Sequence, residues 1–178
     1  WDMSSALRME FMFYGASSFN IPLNSWDVGQ VTHMHYMFEG ATLFNQPLNN
    51  WNVSSVQNVT SLFALATQFN QPLDQWDVSS ATNMTYMSWS AFSFNKDMSN
   101  WCVSQISVQP DLYASGAPLL AEYYPQWGTC TTPCAGCYNV TFRLDLSEAP
   151  PEIINPEVNG FFNDWCGNCN PLTDIDGD

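Results

Sequence analysis

Tryptophan recurs at a constant interval of 25 residues, at Trp1, Trp26, Trp51, Trp76 and Trp101. The segments between the tryptophans repeat as well, so that WDVGQVTHMHYMFEGATLFNQPLNN is followed by WNVSSVQNVTSLFALATQFNQPLDQ. A unit of this length cannot bury its apolar face alone and has to stack on its neighbours. Because 25 residues is too short for a four-stranded propeller blade, the interval predicts a solenoid.

The hydrophobic period changes once within each unit. Trp26 and Val28 are two residues apart, as in a short strand with alternating faces. The i, i+3, i+4, i+7 spacing of one helical face then follows at Met34, Met37, Phe38 and Ala41. We therefore predict an α/β repeat solenoid of the leucine-rich-repeat type over residues 1–112, with a short strand and a short helix in each coil.

Asparagine occupies the same place in the return segment of every complete unit, at Asn20, Asn45, Asn70 and Asn95. Stacked asparagines can hydrogen-bond along an array through their side-chain amides and satisfy backbone groups at the bend. We predict that this column is structural. The methionines of the predicted helical face are interpreted as core residues, because methionine fills irregular gaps.

The approximate consensus WDVSSVxNMxxMFxGAxxFNQPLxx resembles the BspA-like leucine-rich-repeat surface proteins, whose units have the same length. The resemblance covers residues 1 to about 112. It implies a secreted or surface-displayed array whose members are associated with adhesion and binding, and it does not imply catalysis.

A polar column is predicted on the outer side of the strands, since the residue between an inward Trp and an inward Val points outward. With strands spaced by about 4.8 Å, the outward side chains form a ladder of Asp2, Asp27, Asn52, Asp77 and Cys102. One interpretation is a polar or cation-assisted binding strip. The other, which we favour, is that each carboxylate accepts hydrogen bonds from the turn that follows it, as Asp77 would from Ser79 and Ser80.

The charge of the chain argues against nucleic acid as a partner. Three basic residues stand against 17 acidic ones, and the net charge of −14 repels phosphate backbones. No apolar run is long enough for a membrane span. The sequence begins on the first residue of a repeat, and we expect it to be a processed or partial piece of a longer secreted protein.

The repeat pattern stops near Asp111, and residues 113–137 are interpreted as a Cys-rich cap or linker. The six cysteines permit 15 complete pairings, and they lie at Cys102, Cys130, Cys134, Cys137, Cys166 and Cys169. We predict structural disulfides, as expected of a secreted protein. Two alternatives are a zinc site formed by the two CxxC pairs and a redox motif at Trp165-Cys166-Gly167-Asn168-Cys169. The redox motif would need a helix after Cys169, but Asn170-Pro171 follows.

Residues 138–178 begin a different pattern, in which YNVTFRLDL alternates faces as a strand. This stretch resembles the opening of the immunoglobulin-like, carbohydrate-binding sandwich modules of secreted bacterial proteins, and we predict an incomplete all-β sandwich here. Trp165 is a candidate for stacking on a sugar. Asp174, Asp176 and Asp178 are candidate ligands for Ca²⁺, because alternating carboxylates beside a glycine turn suit a hard cation.

Four asparagines lie in N-x-S/T sequons and are glycosylation candidates in a eukaryotic setting: Asn52, Asn58, Asn83 and Asn139. No nucleophile and base pair or phosphate loop is recognisable, and His33 and His35 have no partners at ligand spacing, so we predict a protein that is not an enzyme and needs no cofactor beyond a candidate Ca²⁺. The leading function is extracellular adhesion or ligand binding to surface glycans or proteins. The alternatives are a self-associating filament or sheath subunit and the accessory carbohydrate-binding region of a polysaccharide-degrading enzyme.

Overall fold

The computed structural model describes residues 2–130, which belong to the first of the two units into which the chain divides, Trp1–Thr132. We number the repeats as coils 1 to 5, beginning at residues 1, 26, 51, 76 and 101. Within the described range the regular elements are one 3₁₀ helix, Ala121–Tyr123, and three isolated parallel bridges. These bridges join equivalent positions of successive coils, at Arg8, His33, Asn58 and Asn83. No helix among residues 2–130 is long and apolar enough to span a membrane.

The predicted α/β repeat solenoid is wrong in its secondary structure. Residues 2–130 contain no α-helix, and the parallel contacts are bridges rather than strands. The segment predicted as a helical face is a run of turns, in which Met37 N–H donates to the Met34 carbonyl at 3.1 Å. Tyr36 has a φ of 61°, a left-handed conformation that cannot continue a right-handed helix. The predicted sandwich at 138–178 lies outside the described residues.

Lateral hydrogen bonds explain why these turns replace a helix. The N–H groups of Tyr36, Phe38 and Gly40 donate to carbonyl oxygens of coil 3, at 2.8–3.0 Å. The intervening N–H groups of Met37, Glu39 and Ala41 donate within coil 2 to the carbonyl three residues earlier. Alternate amides from Tyr36 to Ala41 thus point along the array and along the chain, so these donors are satisfied without the i−4 bonds of an α-helix.

The segment predicted as a strand has no regular secondary structure and leads into a turn. Trp51 and Val53 are both buried, as the two-residue spacing predicts. However, Val56 N–H bonds back to Val53 within the same coil, and the parallel bridges fall seven residues after each tryptophan, at His33, Asn58 and Asn83. The burial pattern was therefore right, whereas the backbone conformation assigned to it was not.

Columns of identical side chains fill the interior between coils. The rings of Phe38 and Phe63 stack at a centroid distance of 5.7 Å, and the rings of Phe44 and Phe69 stack at 5.9 Å. Trp76 and Trp101 are nearly parallel at 6.4 Å. Each coil therefore buries its aromatic face against the next one, which is the stacking expected of a short repeat unit.

The asparagine column has the structural role predicted for it. The side-chain oxygens of Asn20, Asn45 and Asn70 accept the backbone N–H of the asparagine one coil later, at 3.0–3.1 Å. Gln46 and Gln71 add amide donors to the same oxygens. The column thus provides acceptors for backbone amides at the bend where the chain turns toward the next tryptophan.

The chain continues to pack on coil 4 after the sequence repeat has decayed. Ser88 N–H donates to the Tyr113 carbonyl at 2.9 Å, and Met98 N–H donates to the Tyr123 carbonyl at 3.0 Å. Tyr113 is buried, and its hydroxyl contacts the Met98 sulfur at 3.4 Å. Burial raises the pKa of the Tyr113 hydroxyl. Coil 5 therefore covers the end of the described core, with Tyr113 at its centre.

Candidate binding face

The turns next to the parallel bridges form a continuous surface in the first four coils. We call it the bridge face, and it comprises residues 8–14, 33–39, 58–64 and 83–89. Its register is fixed by lateral backbone bonds, since Phe11 N–H donates to His35, Tyr36 N–H to Thr60 and Ser61 N–H to Thr85. Equivalent positions of successive coils consequently lie side by side along this face.

Exposed aromatic rings gather at the coil 1 end of the bridge face. Phe11 and Tyr36 stack at 4.9 Å with an interplanar angle of 13°. Tyr14 and His35 meet Phe11 edge-on at 5.8 and 5.6 Å. Phe11 is 52% exposed and Tyr14 is 56% exposed. The array therefore presents an aromatic patch whose geometry is held by ring contacts between coils 1 and 2.

A second aromatic pair lies at the coil 4 end of the same face. Tyr86 and Trp89 meet in an edge geometry at 6.1 Å, with 37% and 36% of their surfaces exposed. Tyr86 is the repeat equivalent of Phe11 and Tyr36, and all three have a positive φ of 58–61°. The three side chains therefore project from the same backbone conformation, each in its own coil.

Coil 3 interrupts this aromatic column. Its equivalent position is Ser61, which has a φ of 52° and is buried. Burial raises the pKa of the Glu39 carboxyl of coil 2, and the nearby Ser61 hydroxyl opposes this shift. A small, buried side chain thus stands between Tyr36 and Tyr86, and the exposed aromatic column is not continuous along the bridge face.

Other polar groups on the bridge face are engaged within the protein or buried. Arg8 and Glu10 form an ion pair. Thr32 Oγ1 and His33 Nδ1 are 2.9 Å apart. Within the described range, His35 Nδ1 and Thr60 Oγ1 are buried without a hydrogen-bond partner.

The predicted polar ladder lies on exposed turns that precede the bridge face. Asp27, Asn52 and Asp77 each accept the backbone N–H two residues ahead, at 3.0–3.2 Å. Asp2 accepts both the hydroxyl and the N–H of Ser4, and these bonds lower the pKa of Asp2. The favoured turn bonds are therefore present at Ser79 and at its repeat equivalents Ser4, Gly29 and Ser54, whereas a bond from Ser80 to Asp77 and cation binding by the ladder stay predictions.

The structure places two of the six cysteines, Cys102 and Cys130, in one disulfide. The remaining cysteines lie outside the described residues, as do Trp165, the calcium candidates Asp174, Asp176 and Asp178, and the sequon Asn139. Of the other sequons, Asn58 and Asn83 accept the N–H two residues ahead at 2.9–3.0 Å, and Asn52 is exposed. Among residues 2–130, no group of three or more His, Cys, Asp or Glu residues is arranged to hold a metal ion.

The bridge face was not predicted from the sequence. The signal was available, because the positions equivalent to Phe11 read Phe, Tyr, Ser and Tyr, and those equivalent to Tyr14 read Tyr, Glu, Ala and Trp. The inward columns hardly vary over the same coils. These two positions are exposed where they carry aromatic residues in coils 1 and 4 and buried at Ser61 and Ala64 of coil 3.

Comparison with known proteins identifies the repeat region. No curated protein and no solved structure matches the chain. The family model described as "Mycoplasma protein of unknown function, DUF285" matches residues 1–101, which span the first four coils and the tryptophan of the fifth. The chain therefore belongs to this family.

Proposed function

We propose that the chain is a non-enzymatic binding segment of a secreted or surface-displayed protein, and that the bridge face is its contact surface. The observation that carries the proposal is the contrast between a uniform interior and a bridge face whose exposed aromatic residues differ from coil to coil. A regular scaffold with a variable outer surface is how repeat proteins generally bind partners.

The chemistry of the bridge face supports this role. Phe11, Tyr14, Tyr86 and Trp89 remain exposed although they are large and apolar or amphipathic. Tyrosine and tryptophan are enriched in protein interfaces, because they bury a large area and keep a polar tip that can bond to a partner or to water. Leaving several of them in water costs free energy that contact with a partner would recover.

The extracellular setting rests on two separate observations. The repeats resemble those of BspA-like surface proteins, and the Cys102–Cys130 disulfide is of a kind that persists in oxidising compartments. The net charge of −14 is compatible with a soluble, surface-displayed protein and repels anionic partners.

The proposal can be tested by screening the purified chain on arrays of glycans and purified surface and matrix proteins, with and without Ca²⁺. Variants Phe11→Ser and Trp89→Ser each remove one aromatic patch, and Phe92→Ser is the matched control, since Phe92 is 62% exposed and lies outside the bridge face. We expect the bound partners to be lost with the first two variants and kept with the control.

Two results would contradict the proposal. One is the absence of any partner on the arrays, and the other is a partner whose binding is insensitive to both bridge-face variants. Concentration-dependent polymerisation of the purified chain would instead favour the filament alternative, and light scattering on the same samples detects it.

A further inference from the structure

An open cleft lies beside the 3₁₀ helix, where residues 121–130 pack on coil 5. Its volume is about 510 Å³, within the range of about 300–1,000 Å³ that is typical of small-ligand sites. We call it the coil 5 cleft, and the lining residues that bear on its chemistry are Gln109, Glu122, Tyr124, Gln126 and Trp127. None of them belongs to the bridge face, so the cleft is a separate surface of the array.

The wall of the cleft that carries the aromatic rings is attached to the array on both sides. Before the rings, Met98 N–H of coil 4 donates to the Tyr123 carbonyl at 3.0 Å. After the rings, the Cys102–Cys130 disulfide joins the segment to coil 5. The backbone between these two attachments therefore has a defined position.

Buried Tyr113 supports both aromatic rings of the cleft. Its ring centre lies 4.9 Å from that of Trp127, with an interplanar angle of 81°, and 6.0 Å from that of Tyr124. Tyr113 is fully buried, whereas Tyr124 and Trp127 are partly exposed. The two rings are thus held from below and present part of their surface to the cleft.

The polar side chains of the cleft retain their hydrogen-bonding capacity. Gln109, Glu122 and Gln126 are exposed, and within residues 2–130 none of these three side chains has a hydrogen-bond partner. Each carboxamide can donate and accept, and the carboxylate can accept. The cleft therefore combines two supported rings with three polar groups that are available to a ligand.

We propose that the coil 5 cleft binds a neutral oligosaccharide. The C–H face of a pyranose ring packs on an aromatic ring, and Trp127 and Tyr124 supply such rings. The hydroxyl groups at the edge of the sugar both donate and accept, which matches the carboxamides and the carboxylate. This inference goes beyond the proposed function, because the cleft does not include the bridge face.

Charge and polarity favour a neutral sugar over other small ligands. The Glu122 carboxylate and the net charge of −14 repel sugars that carry carboxylate or sulfate groups. A purely apolar ligand would pack on the two rings, but it would displace water from the polar side chains without replacing the hydrogen bonds. A neutral oligosaccharide avoids both costs.

The test is isothermal titration calorimetry of the full chain with maltohexaose, cellohexaose and chitohexaose, each alone, and with hexagalacturonate as the anionic probe. We expect saturable binding of at least one neutral probe and none of hexagalacturonate at the same concentrations. Trp127→Ser should weaken the binding of the neutral probe by about tenfold or more. Gln126→Ala should weaken it by about 3- to 10-fold.

Each variant has a matched control. Phe92→Ser alters an exposed aromatic ring outside the cleft, and Gln105→Ala alters an exposed glutamine of coil 5 that does not line it. Both should bind the neutral probe as the native chain does. Because the Trp127 ring packs on Tyr113, the fold of Trp127→Ser is checked by circular dichroism, and Gln126→Ala tests the cleft independently through an exposed side chain.

Three results would overturn the inference. They are the absence of binding by all three neutral probes, binding of hexagalacturonate as tight as that of a neutral probe, and undiminished binding by Gln126→Ala and folded Trp127→Ser. The glycan array separates the cleft from the bridge face. A neutral glycan that is kept by Phe11→Ser and Trp89→Ser but lost with Gln126→Ala supports the cleft and contradicts the bridge face as its binding surface, and the opposite pattern contradicts the cleft and supports the bridge face.

Discussion

The indole Nε1–H of Trp76 donates a hydrogen bond to the carbonyl oxygen of Leu48, 28 residues earlier in the chain, at 2.9 Å. The same bond joins Trp51 to Leu23 and Trp101 to Leu73, at 3.0 Å. Because all three tryptophans are buried, no water replaces these bonds if they are lost. The repeating tryptophan is therefore a core residue that also fixes the step from one coil to the next.

Replacing Trp76 with phenylalanine should reveal the value of this bond. The variant keeps an aromatic ring but leaves the Leu48 carbonyl without its donor. We expect the free energy of unfolding to fall by about 1–3 kcal/mol from the unsatisfied carbonyl, with a further loss from the smaller ring. Urea denaturation of the purified chain measures the change.

The matched control is Trp89→Phe, because Trp89 is partly exposed and lies on the bridge face. Its free energy of unfolding should stay within about 0.5 kcal/mol of the native value. Equal losses in the two variants would show that indole size, and not the bond to Leu48, determines the stability.

The asparagine column makes a second prediction. Asn70→Ala removes the oxygen that accepts the Asn95 N–H at 3.1 Å and leaves this partly buried amide without a partner. We expect a loss of about 1–3 kcal/mol in the free energy of unfolding. Asn50→Ala, at an exposed position, should cost little. If the two variants are equally stable, the column does not contribute to the fold in the way we describe.

The third prediction concerns the disulfide of coil 5. Cys102 and Cys130 are separated by 28 residues. Closing a loop of this length lowers the conformational entropy of the unfolded chain, which stabilises the folded protein by about 3 kcal/mol. The double variant Cys102→Ala, Cys130→Ala should lose about this amount and melt at a lower temperature. Mass spectrometry of peptides from the non-reduced native chain should recover the Cys102–Cys130 pair, and recovery of Cys102 linked to another cysteine would contradict the structure.

The spacing of apolar residues predicted which side chains are buried but not the backbone that buries them. Met34, Met37, Phe38 and Ala41 are all buried, as a helical face would be. The 3-1-3 spacing is equally compatible with successive turns that return to the interior, and spacing alone cannot distinguish the two. The deciding factor is non-local, since amides such as Tyr36 N–H have partners in the next coil.

The asparagine column was predictable because its role depends on stacking alone, and stacking follows from the 25-residue interval. The backbone of the bridge face was not. The positive φ shared by Phe11, Tyr36, Ser61 and Tyr86 occurs where each of these N–H groups donates to a carbonyl of the next coil, and such non-local bonds cannot be read from the spacing of apolar residues.

The last prediction concerns the pH dependence of stability that Glu39 introduces. Burial raises its pKa above the ordinary value of 4.5, although the Ser61 hydroxyl opposes the shift. The folded chain therefore keeps the Glu39 proton to a higher pH than the unfolded chain. Stability from this group is fully present below the unfolded pKa and is lost as the pH rises through the folded pKa.

Comparison with Glu39→Gln isolates this contribution, because glutamine keeps the shape of the side chain and does not titrate. We expect the free energy of unfolding of the native chain, relative to that of Glu39→Gln, to be higher at pH 4 than at pH 7. Urea denaturation of both proteins at several pH values gives the difference curve. A native chain that gains stability relative to Glu39→Gln as the pH rises would mean that the folded protein stabilises the charged carboxylate. Burial would then not govern the Glu39 site.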